Sequence, residues 1–167
     1  TKNGKAQVAI THAGYSASVN IQAANLDKPY KPDYVRDVMP VVSKLGCNMG
    51  TCHGAKDGKN GFKLSLRGYD PIYDVRAFAD DLAGRRINFA RPDDSLMLLK
   101  ATSAVPHQGG ARTTPGSDYY NVIREWIGNG CDLELKSSKV QSIEVFPKNP
   151  VVQDIGGSQQ VRVIATY

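Results

Sequence analysis

Two cysteines and a histidine lie close together at Cys47, Cys52 and His53, in the stretch CNMGTCHGA. A histidine directly after a cysteine belongs to the signature Cys-x-x-Cys-His, in which two thiols attach haem c. Here four residues instead of two separate the cysteines. The adjacency of Cys52 and His53 sets the imidazole beside one thiol, and the cysteine spacing only has to span the two vinyl groups of the porphyrin. The motif therefore predicts one covalent haem c with His53 as proximal iron ligand.

Other interpretations of the motif stay open at this point. In an oxidising compartment Cys47 and Cys52 can form a disulfide, which gives His53 no role. A structural zinc site needs four ligands, so His107 or Cys131 would have to complete it, and adjacent cysteine and histidine are poor zinc-finger spacing. The thiols can also be unrelated to each other. Without haem, the chain would be an extracellular adhesion module stabilised by zinc or a disulfide.

The spacing of apolar residues divides the 167-residue chain into three regions. Residues 5–24 and 139–167 alternate apolar and polar side chains with the period of strands. Between them, residues 33–132 carry apolar side chains at helical spacing, with Asp33 and Ser117 as N-caps of the first and last helices. The sequence predicts a mainly α fold, in which a helical haem domain is flanked by β segments. Four short helices make a small core, which a haem would complete.

The stretch of residues 33–131 resembles the cytochrome c-like domains of large secreted planctomycete proteins. The resemblance rests on the Cys-x4-Cys-His-Gly run, on GFKLSLRGYDP after it and on VPHQGG further along. Both flanks are similar to parts of bacterial immunoglobulin-like domains. The resemblance implies a cytochrome c-like haem domain at residues 29–135. It also implies the end of one immunoglobulin-like domain at 1–28 and the start of another at 136–167.

The resemblance also implies export, to the periplasm or as a secreted protein. The chain opens in a stretch typical of the middle of a folded region and shows no signal peptide, so we expect a mature or excised piece of a larger multidomain protein. No apolar run approaches the ~18 residues of a membrane helix, which predicts no membrane span. The β edges are candidates for association with a larger parent protein or an oligomer.

The second axial ligand of the iron is predicted from the loop AVPHQGGAR. Pro106 stiffens one side of His107 in this loop, and two glycines allow close approach on the other. The resemblance puts the loop where ordinary single-haem cytochromes c carry their distal ligand. The prediction is ligation by His53 and His107. Cys131, Met97 or an open distal face are the alternatives, although an apolar helix makes Met97 a better core residue.

Four arginines and one tryptophan are further candidates for contact with the cofactor. Arginine suits the haem propionates, and we expect Arg112 to serve as such a partner. Arg85, Arg86 and Arg91 are candidates for the same role, and simple exposure to solvent is the alternative for each. Trp126 is a candidate for packing on the haem edge, with a place in the core of an amphipathic helix as the alternative.

The function predicted from these features is electron transfer or redox sensing outside the cytoplasm, without enzyme activity. Bis-histidine ligation leaves no open position at the iron, and it gives a lower potential than methionine ligation. An open distal face would instead permit gas sensing or peroxide chemistry. The net charge is +5, but the cations are dispersed, so nucleic acid is not an expected partner. The expected partner is a redox protein that the sequence does not identify.

Overall fold

The structure is a computed structural model that describes residues 2–167. The chain separates into two compact units, Thr1–Lys31 and Pro32–Tyr167. In the first unit, β1 (Gly4–His12) and β2 (Tyr15–Ala23) form an antiparallel hairpin in which Val8 pairs with Val19. The two-residue turn between the strands, Ala13 and Gly14, has φ of 48° and 83°. Positive φ at both central residues is what a type I′ hairpin turn requires.

The second unit holds five α-helices and a second antiparallel hairpin within the described residues. The helices are Met39–Lys44 (α1), Pro71–Ala79 (α2), Asp81–Gly84 (α3), Leu96–Ala101 (α4) and Asp118–Gly128 (α5). A π-helical turn at Tyr34–Val38 leads into α1, and 3-10 turns lie at Leu66–Gly68 and Pro92–Asp94. The hairpin consists of β3 (Ser142–Phe146) and β4 (Arg162–Thr166).

The predicted N-caps are confirmed at both ends of the helical region. The Asp33 carboxylate accepts from the backbone N–H of Val35 at 2.8 Å and begins the π-helical turn. The Ser117 hydroxyl accepts from Tyr120 N and begins α5. Each side-chain oxygen satisfies a backbone donor that has no partner within its own helix. Pro40 lies in the first turn of α1, where the lack of an N–H costs nothing.

The core of the second unit is built around Trp126 on α5. Its side chain is completely buried, and its ring centroid lies 5.5 Å from that of Tyr34 and 6.3 Å from that of Phe78. The indole Nε1 donates to the backbone oxygen of Asp132 at 2.9 Å. Around these aromatic rings pack the buried aliphatic side chains of Val38, Val41, Val42, Leu45, Leu64, Leu98, Ile123 and Ile127. This core holds α1, α2, α4 and α5 together.

The prediction of a mainly α fold is wrong. Helices hold 28% of the residues and strands 18%, in five short helices and two small sheets. Residues 45–65 contain no helix and consist mostly of turns. After α2, the positive φ of Leu82 and Ala83 interrupts the right-handed helical path of the backbone. Helices of six residues or fewer leave most of their terminal backbone groups without helical partners, so tertiary contacts rather than helix length hold this unit together.

Among residues 2–167, no helix is long and apolar enough to cross a membrane. The longest, α5, has 11 residues. The division into segments 1–28, 29–135 and 136–167, and the immunoglobulin-like nature of both flanks, stay predictions.

Candidate functional site

The cysteine motif folds into a closed turn directly after α1. Gly46 has φ of 81°, the left-handed conformation that commonly ends a helix. The amide of Cys47 then donates to Val42 O at 3.0 Å, and the amide of His53 donates to Cys47 O at 2.9 Å. The second bond brings the backbones of Cys47 and His53 together in spite of the longer cysteine spacing. The extra residues are therefore absorbed inside the turn.

Gly54 sets how tightly this turn closes. Its amide donates to Met49 O at 3.0 Å. A Cβ at position 54 would overlap the carbonyl oxygen of Asn48 and lie 2.7 Å from its carbonyl carbon. These are backbone atoms, so a side chain at 54 would force the chain itself to move. The turn that presents His53 thus requires glycine directly after the histidine.

We expect Gly54→Ala to lower the free energy of unfolding by about 1–3 kcal/mol, the usual cost of forcing an extra carbon into a packed site. Urea unfolding followed by the fluorescence of Trp126, the single tryptophan, measures this. The matched control is Gly50→Ala in the same turn, whose new methyl group would meet only Leu66 Cδ1, at an ordinary 3.8 Å. Equal unfolding free energies for the two variants would contradict the prediction.

His53 and His107 lie next to each other with nearly parallel rings. The ring planes differ by 7° and the ring centroids are 6.4 Å apart. The Nδ1 atom of His53 lies 3.1 Å from Phe62 O, and the Nδ1 atom of His107 lies 2.9 Å from Gly110 O. An Nδ1–H donated to a carbonyl selects the tautomer whose Nε2 carries a lone pair. Both imidazoles are therefore prepared to bind a metal ion through Nε2.

The distance between the two ring centroids matches that of two imidazoles that share one metal ion. A metal–nitrogen bond of about 2 Å on each side, plus about 1 Å from each nitrogen to its ring centre, separates two ring centroids by about 6 Å. The observed separation is 6.4 Å. The chain thus brings together, from positions far apart in sequence, the two histidines that the sequence predicts as axial ligands.

The His53 side of the pair is held by the turn that contains Phe62. The Phe62 oxygen also accepts from Lys59 N at 2.9 Å, and the Phe62 ring centroid lies 4.6 Å from that of His53. Leu64 N donates to His53 O at 2.8 Å. Burial is the main cause that lowers the pKa of His53 from its ordinary value. This shift favours the neutral imidazole, which is the form that binds a metal ion.

The His107 side of the pair is a short loop folded against the His107 ring. Gly110 N donates to His107 O at 2.9 Å, and Arg112 N donates to Ala101 O at 2.7 Å, which ties the loop to the end of α4. A Cβ on Gly109 would lie 2.9 Å from His107 Cε1 and 3.2 Å from Nε2. A side chain at 109 would push the ring from its place. The glycine beside His107 therefore permits the parallel arrangement.

The three cysteines are free thiols and fall into two groups. Cys47 and Cys52 are half-buried in the turn, and burial raises the pKa of Cys47 to about 11, with nearby Arg112 opposing the shift and Cys52 adding to it. Cys47 is thus a protonated thiol at pH 7, close to Arg112. Cys131 is only 6% exposed and belongs to the hydrophobic core, where burial raises its pKa to about 12.

The remaining candidates for the site lie in or against the core. Met97 packs against the hydrophobic cluster, and Trp126 lies at its centre. The structure therefore groups His107 with His53, and places Met97, Cys131 and Trp126 in core packing. Among residues 2–167, no three His, Cys, Asp or Glu side chains are grouped so that they could hold a metal ion. The roles of all these residues toward a cofactor stay predictions.

Sequence reasoning missed Phe62 and gave Arg86 a different role. Phe62 orients His53 through its backbone oxygen, and every residue type has such an oxygen, so the sequence could not single it out. Phe62 does lie in the stretch GFKLSLRGYDP, on which the resemblance partly rests. Arg86 was expected to face a propionate or solvent. Instead it is 7% exposed, and its guanidinium nitrogens donate to Ala77 O and Gly61 O. The residue pattern does not distinguish a buried arginine in a turn from an exposed one.

Comparison with known proteins adds no family to this geometry. No protein-family model, curated protein or solved structure matches the chain. The resemblance to planctomycete cytochrome c-like domains stays a prediction. The function is therefore argued from the site itself.

Proposed function

We propose that this chain binds one covalent haem c and serves in electron transfer or redox sensing outside the cytoplasm. The observation that carries the proposal is the parallel pair of His53 and His107, with ring centroids 6.4 Å apart, next to the turn of Cys47 and Cys52. A bis-histidine haem c requires two free thiols, a histidine adjacent to one of them, and a second histidine at a distance that lets both bind one metal ion.

Each residue of the site has a definite part in this proposal. The S–H groups of Cys47 and Cys52 would add across the two vinyl groups, sulfur bonding one carbon and hydrogen the next, so that no other reactant is consumed. His53 and His107 would offer Nε2 to the iron. Arg112, close enough to Cys47 to act on its pKa, would pair with a propionate. The haem, when bound, supplies one-electron redox chemistry.

The arrangement favours electron transfer over catalysis. If His53 and His107 both held the iron, no coordination position would be free for oxygen or peroxide. Backbone carbonyls fix both imidazoles, so they need little rearrangement between oxidation states. The location outside the cytoplasm and the redox partner protein belong to the same proposal, and only the resemblance in sequence supports the location.

The test of this ligation is His107→Ala in chain produced together with a haem c maturation system. We expect the six-coordinate low-spin absorption spectrum of the unsubstituted chain to become high-spin, and added imidazole to restore it. The control is His12→Ala, since His12 lies on an exposed strand of the first unit. An unchanged six-coordinate spectrum in His107→Ala would reject His107, and Cys131→Ala and Met97→Ala would then be compared in the same way.

A further inference from the structure

We propose that Arg86 is a positioning residue for His53, and that its buried charge raises the reduction potential of the iron. The effect on the reduction potential rests on the proposed function, whereas the positioning of His53 does not. Arg86 carries a buried guanidinium next to the turn that holds His53. Its part in binding that turn follows from contacts within the chain alone.

The guanidinium of Arg86 links helix α2 to the turn before Phe62. Nη1 donates to Ala77 O at 2.9 Å, and Nη2 donates to Gly61 O at 3.2 Å. The central guanidinium carbon lies 4.4 Å from the centroid of the Phe62 ring. Hydrogen bonding to one peptide and stacking on the next side chain fix both Gly61 and Phe62. Lysine has neither the planar fork nor the flat face for this arrangement.

The same turn determines how His53 is oriented. The Phe62 oxygen faces His53 Nδ1 at 3.1 Å, and the two rings lie 4.6 Å apart between centroids. Arg86 therefore acts on the imidazole through one intermediate residue. Groups that hydrogen-bond a metal-ligating histidine typically change affinity or activity 10–100-fold when they are lost, and for His53 that group is the Phe62 carbonyl.

The charge of Arg86 is not neutralised by a close carboxylate. None of the ion pairs found in residues 2–167 includes Arg86, and its two partners are neutral carbonyl groups. Asp81 acts on it from longer range. Arginine stays protonated in proteins. A buried cation near the iron disfavours the ferric state, which carries one more positive charge than the ferrous state, and so raises the potential.

Redox titration of the haem-loaded chain tests the effect of the charge. In Arg86→Gln we expect the ferric-to-ferrous ratio at a fixed solution potential to rise about tenfold, which is about 59 mV for one electron. Arg86→Lys keeps the charge and should shift the ratio less than Arg86→Gln. The matched control is Arg85→Gln, which removes a neighbouring exposed charge and should change the ratio less than twofold. A potential in Arg86→Gln equal to that of Arg85→Gln would overturn the electrostatic role.

Amide hydrogen exchange of the haem-free chain tests the positioning role without any cofactor. The amides of Phe62 and Leu64 donate to Lys59 O and His53 O. We expect their exchange to become at least about tenfold faster in both Arg86 variants, because both lose the fork, and to be unchanged in Arg85→Gln. Unchanged exchange in Arg86→Lys would overturn the positioning role, even if Arg86→Gln does not fold. Faster exchange in a chain that takes up no haem would support positioning while refuting the proposed function and the effect on potential.

Discussion

Replacing Cys47 and Cys52 together by serine is expected to abolish covalent haem binding. Serine keeps the size and polarity of each site, but an alcohol is a far weaker nucleophile than a thiol and does not form the link to the vinyl group. The double variant should lose all haem in denaturing gel electrophoresis followed by haem staining. Each single variant should keep one link, with a lower yield of loaded chain. The motif is the basis of the whole account, so this is the largest effect that we predict.

The matched control uses the third cysteine. Cys131 is in the core, with its amide donating to Trp126 O at 3.0 Å, and its side chain has no part in the proposed attachment. We expect Cys131→Ala to carry the same amount of covalent haem per folded chain as the unsubstituted protein. Covalent haem in the double serine variant, or its loss in Cys131→Ala, would contradict the assignment of Cys47 and Cys52.

Trp126→Ala is expected to lower the free energy of unfolding of the second unit by about 3–5 kcal/mol, the usual cost of truncating a fully buried aromatic residue. The indole is completely buried and contacts Tyr34 and Phe78 from two sides. Its Nε1 is also a hydrogen-bond donor to Asp132 O. Because the substitution removes the single tryptophan, urea unfolding is followed by circular dichroism.

Two control variants distinguish the stabilisation by the buried ring from that by the hydrogen bond and from a general effect of substitution in α5. Trp126→Phe keeps an aromatic ring but loses the donor, so its effect should be smaller than that of alanine. Tyr119→Ala removes an aromatic side chain that is 40% exposed on the same helix and should cost about 0.5 kcal/mol or less. Equal unfolding free energies for Trp126→Ala and Tyr119→Ala would show that Trp126 does not organise the core.

Local features of the fold followed well from the sequence. The caps at Asp33 and Ser117 depend on residues close together in the chain, and these predictions are confirmed. The helical content was overestimated: apolar spacing predicted a mainly helical middle region, but its five α-helices have only four to eleven residues each. The packing around Trp126 satisfies those apolar positions with segments as short as the six residues of α4. The lengths of these helices are set by tertiary contacts, which a local sequence pattern does not contain.

The sequence predicted the parts of the site that depend on neighbouring residues in the chain. It did not predict the parts that depend on how distant segments pack together. The sequence placed His53 next to a thiol and His107 in a glycine loop, and the structure brings these two rings together. The contact between Arg86 and Gly61 joins residues 25 positions apart, and the carbonyl of Phe62 acts without its side chain. Contacts of this kind depend on how the turns fold over each other, which residue types alone do not specify.

The most direct test of the central claim is the intact mass of the unfolded chain after production with a haem c maturation system, together with its pyridine haemochrome spectrum. We predict a mass increase of one haem that persists after denaturation, and the haemochrome of two thioether links through Cys47 and Cys52. The mass of the bare chain, with all three thiols available for alkylation, would contradict the account.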